Sequence, residues 1–259
     1  MRILSITNQK GGVGKTTTAI NLGAALAASG KSVLIADLDP QGNASTGLGI
    51  DAGARERTTY DLLIDGAALE DVAIPTEVEN LSIAPATTDL SSTDVELGQR
   101  DNRVFLLKDA LKESTATYDY VLIDCPPSLS LLTLNALVAS DAILVPLQAE
   151  FFALEGLSQL MLTVREVRET ANPSLRIEGV VLTMHDARNR LSRQVEEDAR
   201  ANLGDLVFKT MVPRNVRLSE APSFAMPVIA YDPASKGSQA YLDLAQELMD
   251  REVPIKEAS

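Results

Sequence analysis

Short, continuously apolar runs alternate along the chain with longer segments of helical period. Val33-Leu34-Ile35-Ala36 and Val121-Leu122-Ile123 carry no polar interruption, the pattern of strands covered on both faces of a parallel sheet. The pattern predicts strands at 2–7, 32–37, 81–84, 119–124, 142–147, 177–183, 207–211 and 227–230. Helices are predicted at 15–29, 58–64, 101–114, 130–139, 153–171, 189–202 and 236–250. Ala19, Leu22 and Leu26 share one face of the first helix, and Gly30 is placed to end it. This alternation implies a doubly wound α/β fold, a mostly parallel sheet with helices on both faces and ligands at the carboxyl ends of the strands. Segments 40–57 and 84–100 are rich in Gly, Ser, Thr and Asp and read as loops. With no internal repeat or low-complexity linker, residues 1–259 are expected to form a single domain, with 251–259 as a flexible tail.

The first predicted strand runs into Asn8-Gln9-Lys10-Gly11-Gly12-Val13-Gly14-Lys15-Thr16-Thr17, and a helix follows at once. Glycines let backbone N–H groups close around an anion, and the helix N-terminus adds partial positive charge. In such a phosphate loop Lys15 reaches the outer phosphates, the Thr16 hydroxyl holds Mg²⁺, and Thr17 donates to the inner phosphate. The usual P-loop pattern has a glycine where this chain has Gln9; instead a second lysine, Lys10, opens the loop. Its natural use is to place charge on phosphates, in its own subunit or in a facing one.

Two predicted strands end in aspartate: one in Asp37-Leu38-Asp39-Pro40-Gln41-Gly42-Asn43, the other in Asp124-Cys125-Pro126-Pro127-Ser128. In a parallel sheet both tips lie near the phosphate loop. Asp124 suits a carboxylate holding the magnesium shell through water. Asp39 suits a group that orients or activates the attacking water, and also a place near the metal. Asp37, nearer the strand body, is expected to support the magnesium shell. The segments after Asp39 and Asp124 are placed to act as two switches sensing the γ-phosphate.

Composition narrows the chemistry. The chain has 259 residues, one cysteine (Cys125) and one histidine (His185). That excludes a Cys-x-x-Cys pair and His-rich metal sites, and argues against a Ser-His-Asp triad. No run approaches the ~18 apolar residues of a membrane span, and the start lacks a signal-peptide pattern, so a soluble, cytoplasmic protein is expected. The net charge of −13 repels nucleic acid globally, so DNA binding would need a local basic patch.

Several motifs together resemble one family. Lys10-Gly-Gly-Val-Gly-Lys-Thr-Thr resembles the deviant Walker A motif of the ParA/MinD group of P-loop ATPases. Asp37-Leu-Asp-Pro-Gln-Gly-Asn resembles the switch segment of ParA/Soj chromosome-partitioning proteins, and Val121-Leu-Ile-Asp-Cys-Pro-Pro-Ser their Walker B. Leu182-Thr-Met-His-Asp-Ala-Arg and Val212-Pro-Arg-Asn-Val-Arg-Leu-Ser-Glu-Ala-Pro resemble their C-terminal half, and the likeness spans about residues 2–250. The resemblance implies a slow ATPase using ATP and Mg²⁺ that forms an ATP-dependent homodimer with two nucleotides at the interface. Lys10 would reach the partner's phosphates. The dimer would bind double-stranded DNA without sequence preference, on the nucleoid, until a ParB-type protein at centromere-like sites stimulates hydrolysis. The cycle would partition chromosome or plasmid copies. By matching position, Gly11, Gly12, Val13, Gly14, Lys15, Thr16 and Thr17 hold phosphate, Asp39 serves catalysis and Asp124 serves Mg²⁺. Met184, Pro213 and Asn215 would lie near the adenine, and Glu150 near the ribose or the dimer partner.

His185 stands where relatives are often apolar and is expected to be a surface histidine without a catalytic role. The chain begins at the first strand, so operator-specific autoregulation through an N-terminal extension is not expected. Between 185 and 217 seven basic residues face five acidic ones, a local excess of two against the overall −13. Arg188 and Arg217, then Arg214, are the candidate DNA contacts, sequence-independent because they would meet phosphates; Arg214 could serve the nucleotide instead. The alternatives are a MinD-like positioning ATPase, a metabolic P-loop kinase or ligase, and a non-hydrolysing scaffold. A membrane-cycling protein needs a basic amphipathic end, whereas 247–259 is acidic and interrupted by Pro254.

Overall fold

The computed structural model describes residues 1–150 and 153–252. Seven strands form one sheet: β1 (Arg2–Ile6), β2 (Val33–Asp37), β3 (Ile74–Pro75), β4 (Leu81–Ala84), β5 (Tyr120–Asp124), β6 (Ala142–Gln148) and β7 (Arg176–Thr183). Their order is β3-β4-β2-β5-β1-β6-β7, parallel throughout except for the edge pair β3–β4. The doubly wound fold expected from the pattern is the one observed.

Because strand side chains alternate, each inner strand fills two cores. Leu4, Ile6, Ile35 and Leu122 pack under helices Lys15–Ala28 and Lys236–Asp250, where Leu22, Leu26, Tyr241 and Leu244 are buried. Leu34, Ala36, Val121 and Ile123 face the other way, against helices Leu106–Glu113 and Leu131–Ala139. Val145, Leu147, Val180 and Leu182 continue this second layer under helices Ala153–Thr170 and Arg190–Leu203.

Three expectations need correction. Segment 207–211 is not a strand: an isolated bridge, Val180 with Val207, joins this stretch to β7, and a second, His185 with Pro213, lies just beyond both. The amides of Lys209 and Thr210 donate instead to the Glu247 carboxylate, both at 2.8 Å. Segment 227–230 turns into the short helix Val228–Tyr231, because Pro227 caps it and the Val228 amide donates to the Asn21 side chain. The presumed loops contain ordered turns, among them the helix Asn43–Gly47. Arg55 ties this region together by donating to the carbonyls of Ile50 and Ala86 and to the Thr46 hydroxyl.

Of the expected tail, Arg251 and Glu252 are held in place. Arg251 lies over the Phe208 ring, 3.8 Å from its centroid. Glu252 accepts from Arg2 at 2.9 Å and from the Tyr120 hydroxyl, at the start of β1 and β5. Residues 253–259 of that tail lie outside the described residues.

Candidate nucleotide site

The loop after β1 turns around Gly12 (φ 74°) and Gly14 (φ 90°), left-handed conformations that a side chain would strain. Gly14 is the residue from which the helix Lys15–Ala28 starts, so the helix N-terminus opens onto the loop. Two polar side chains brace it. Asn8 donates to the Pro146 carbonyl at 2.8 Å and accepts from the Lys10 amide at 3.0 Å. The Thr183 hydroxyl donates to the Val13 carbonyl at 2.8 Å. The loop is thereby fixed to β6 and β7 on its far side.

Both lysines fold onto the protein. The Lys15 ammonium donates to the Lys10 carbonyl at 3.0 Å. Burial pushes its pKa down, while Asp124 and Asp39 oppose that shift. Lys10 pairs with Glu150 at 2.9 Å, with side-chain exposures of 38% and 48%. So exposed an ion pair is worth only about 0–1 kcal/mol, weak enough to be exchanged for a polyphosphate.

Parallel pairing places Ile6, Asp37 and Asp124 side by side at the carboxyl edge. Asp37 is buried and committed: it accepts from the Ser45 amide (3.0 Å), the Ser45 hydroxyl (2.7 Å) and the Asp39 amide (3.2 Å). Burial lifts its pKa to about 6 despite these donors. Its geometry anchors the Asp39–Ser45 turn to the sheet. Asp39 accepts from the Gln41 amide at 3.0 Å. Asp124 differs: both carboxylate oxygens are buried without a hydrogen-bond partner among the described residues. Burial pushes its pKa well up, the Asp37 carboxylate adds to this, and Thr16 and Lys15 pull the other way without closing a hydrogen bond of normal geometry.

An orphaned buried carboxylate beside a phosphate loop fits a cation. No group of three or more His, Cys, Asp or Glu among the described residues could hold a metal alone. That suits Mg²⁺, which takes one or two protein ligands and fills its shell with phosphate oxygens and water.

Beside the loop a cavity of about 350 Å³ is lined by Gly14, Thr17, Met184, Pro213, Asn215 and Tyr241, among others. Met184 adopts φ 51° at the end of β7, and the Asn215 side chain caps the following helix by accepting from the Arg217 amide. The three residues expected near a base thus line one pocket next to the phosphate loop. Glu150 lies outside it, in a neighbouring cavity of about 380 Å³ that Met184 and Arg214 also line.

A model of the AAA domain matches residues 1–177. Over 254 residues the chain is 59% identical to the chromosome partitioning protein ParA of Caulobacter vibrioides, covering 97% of this chain and 95% of that one. The chain belongs to the ParA/Soj family of P-loop ATPases. It is also 55% identical to the sporulation initiation inhibitor protein Soj of Bacillus subtilis, covering 95% and 98% of the two chains. The solved structure of cobyrinic acid a,c-diamide synthase from Mycobacterium smegmatis with bound ADP and magnesium superposes with a TM-score of 0.84 at 36% identity, covering 96% and 94%.

In this ParA/Soj-family chain the arginines singled out by charge are largely engaged. Arg188 pairs with Asp186 at 3.1 Å, and Arg217 pairs with Glu220 (2.8 Å) and Asp232 (3.1 Å). Arg214 is exposed and lines both cavities. His185 is not a surface residue. It is buried, with Nε2 3.1 Å from Glu196, because its backbone pairs with Val212 and Arg214 and draws the ring inward. Asn8, Ser45, Arg55 and the hydroxyl of Thr183 were not singled out. Each acts through a backbone partner distant in sequence, which spacing does not reveal. Cys125 is buried, and its thiol is pushed up to about 12 by that burial, which leaves it unreactive. No helix among the described residues is long and apolar enough to cross a membrane.

Proposed function

We propose that this chain is an ATP-dependent switch for partitioning DNA. It binds Mg·ATP on the loop Lys10–Thr17, pairs with a second copy, and holds double-stranded DNA without sequence preference. A ParB-type partner stimulates hydrolysis and ends that state, and intrinsic turnover is slow. The protein is cytoplasmic and associates with the nucleoid while ATP is bound. The observation that carries the reading is the joining of a two-lysine phosphate loop to an unpartnered, buried Asp124.

The base occupies the pocket lined by Met184, Pro213 and Asn215, and Thr17 meets the inner phosphate. Lys15 leaves the Lys10 carbonyl for the outer phosphates. Lys10 leaves Glu150 for the phosphates of the facing copy; Glu150 lies toward the ribose or the partner. Thr16 and Asp124 would hold Mg²⁺, Asp124 through water, with Asp37 supporting that shell through the turn it anchors, and the ion would supply neutralisation of the polyphosphate charge. Asp39 accepts a hydrogen bond from the attacking water and orients it in line with the γ-phosphorus. The γ-phosphate then stabilises one conformation through contacts absent with ADP. Arg188, Arg214 and Arg217 face DNA phosphates, the paired ones after exchanging their carboxylates.

A metabolic ligase is the second reading, suggested by the name of the M. smegmatis neighbour; the greater identity to a partitioning protein favours the first. Molecular size and DNA retention, measured with ADP, ATP and a slowly hydrolysed analogue, with and without a ParB-type protein, test it. A protein that stays monomeric and free of DNA in all nucleotides, or that transfers phosphate to a metabolite, would refute it.

A further inference from the structure

The helix Arg190–Leu203 begins just past the carboxyl end of β7, so its first turn stands at the same edge as the phosphate loop. The Asn189 side chain caps it by accepting from the Leu191 amide. Ser192, Val195 and Ala199 are buried, which turns Arg190 and Arg193 outward. Three residues apart on a helix, these two side chains are neighbours on one face. Both are exposed, and neither side chain makes an ion pair or hydrogen bond with the described residues. Glu197, one turn further along, leaves Arg193 unpaired. Arg188, Arg200 and Arg217 are each held by carboxylates, and Arg214, which is exposed, lines the two cavities beside the phosphate loop.

Arg190 and Arg193 thus place two guanidinium groups without carboxylate partners side by side on a chain of net charge −13. Engaging a polyanion with Arg217 means giving up two carboxylates, whereas Arg190 and Arg193 give up only water. We propose that Arg190 and Arg193 form a phosphate-gripping pair that contacts the backbone of double-stranded DNA and carries a large share of its salt-sensitive affinity. The inference rests on the DNA-binding reading above. It extends the basic surface of Arg188 and Arg214 along the helix, and a two-fold dimer presents the pair twice. Arginine suits this role because its fork can hold two phosphate oxygens at once.

The test measures DNA affinity with ATP across a salt series for the unmodified protein, for R190Q/R193Q and for R168Q. Arg168 is also exposed and unpaired among the described residues, but it lies at the end of the helix Ala153–Thr170, which leads back to the opposite edge of the sheet. The log-affinity against log-salt slope falls by roughly 0.9 per phosphate contact. Losing two arginines on each of two subunits should therefore flatten it by about 3.6, while R168Q keeps the original slope. ATP turnover without DNA and the melting temperature should be unchanged in both variants. An unmodified protein that binds DNA with the same slope as R190Q/R193Q would overturn the assignment and leave the DNA reading standing. An unmodified protein that binds no DNA with ATP, or that binds only vesicles rich in phosphatidylglycerol, would overturn both.

Discussion

Asp37 and Asp124 are directly registered partners across β2 and β5, two fully buried carboxylates at the same level of the sheet. Three donors surround Asp37, and among the described residues none meets Asp124. The pair is therefore unequal: one carboxylate organises the neighbouring turn, and the other is left facing the phosphate loop. Like charges this close, out of water, oppose ionisation of both. Replacing Asp124 by Asn removes that repulsion. D124N should melt a few degrees higher than the parent without nucleotide, at about 2–4 °C per kcal/mol for a chain of this size. Its magnesium-dependent ATP turnover should fall by at least ~100-fold. Thermal melts and phosphate release measure the two; a lower melting point with normal turnover would contradict the assignment.

Asp39 sits on the turn that Asp37 anchors, at the mouth of the site. D39A should bind ATP, dimerise and stay on DNA, with turnover reduced by about 10²–10⁴. Unchanged turnover in a purified preparation would remove Asp39 from catalysis.

The two lysines should separate by assay. K15A loses the ammonium that bends over the loop, and nucleotide affinity should drop at least ~10-fold by calorimetry. K10A loses only an exposed contact with Glu150 in the single subunit. It should keep most of its nucleotide affinity yet fail in dimer formation or turnover. Equal affinity losses in both variants would show that Lys10 serves its own subunit's phosphates.

Glu247 offers a stability test away from the site. Burial pushes its pKa up, but the amides of Lys209 and Thr210 and the Arg251 side chain outweigh this and hold it below the usual 4.5. A carboxylate depressed in the folded state stabilises above its unfolded pKa, and that stabilisation is lost as pH falls through the folded value. The parent should therefore lose stability progressively below pH 4.5. E247Q should melt a few degrees lower at pH 7 and show a shallower acid dependence. A parallel offset at every pH would mean that the charge is not what matters.

Much of this was legible because phosphate chemistry is local in sequence. The loop needs consecutive glycines and lysines, and the buried strands need unbroken apolar runs, so β1, β2, β4, β5, β6 and β7 and the turn at Gly14 were all readable. What was not readable depends on distant partners. Val207–Met211 has the apolar content of a strand, yet Glu247 claims two of its amides. Val228–Tyr231 resembles a strand until Pro227 and Asn21 set a helix. The two-residue strand β3 is too short to leave a periodic signal. Charge counting found the basic region but could not say which arginines were already spoken for, since Asp186, Glu220 and Asp232 reveal their partners only once folded.

The bond from Glu252 to Arg2 and Tyr120 brings both described ends of the polypeptide to the rim of the sheet opposite the nucleotide. A fluorescent label joined ahead of Arg2 would thus project from the back of the molecule. Live-cell tracking through that attachment point should leave the working face unobstructed.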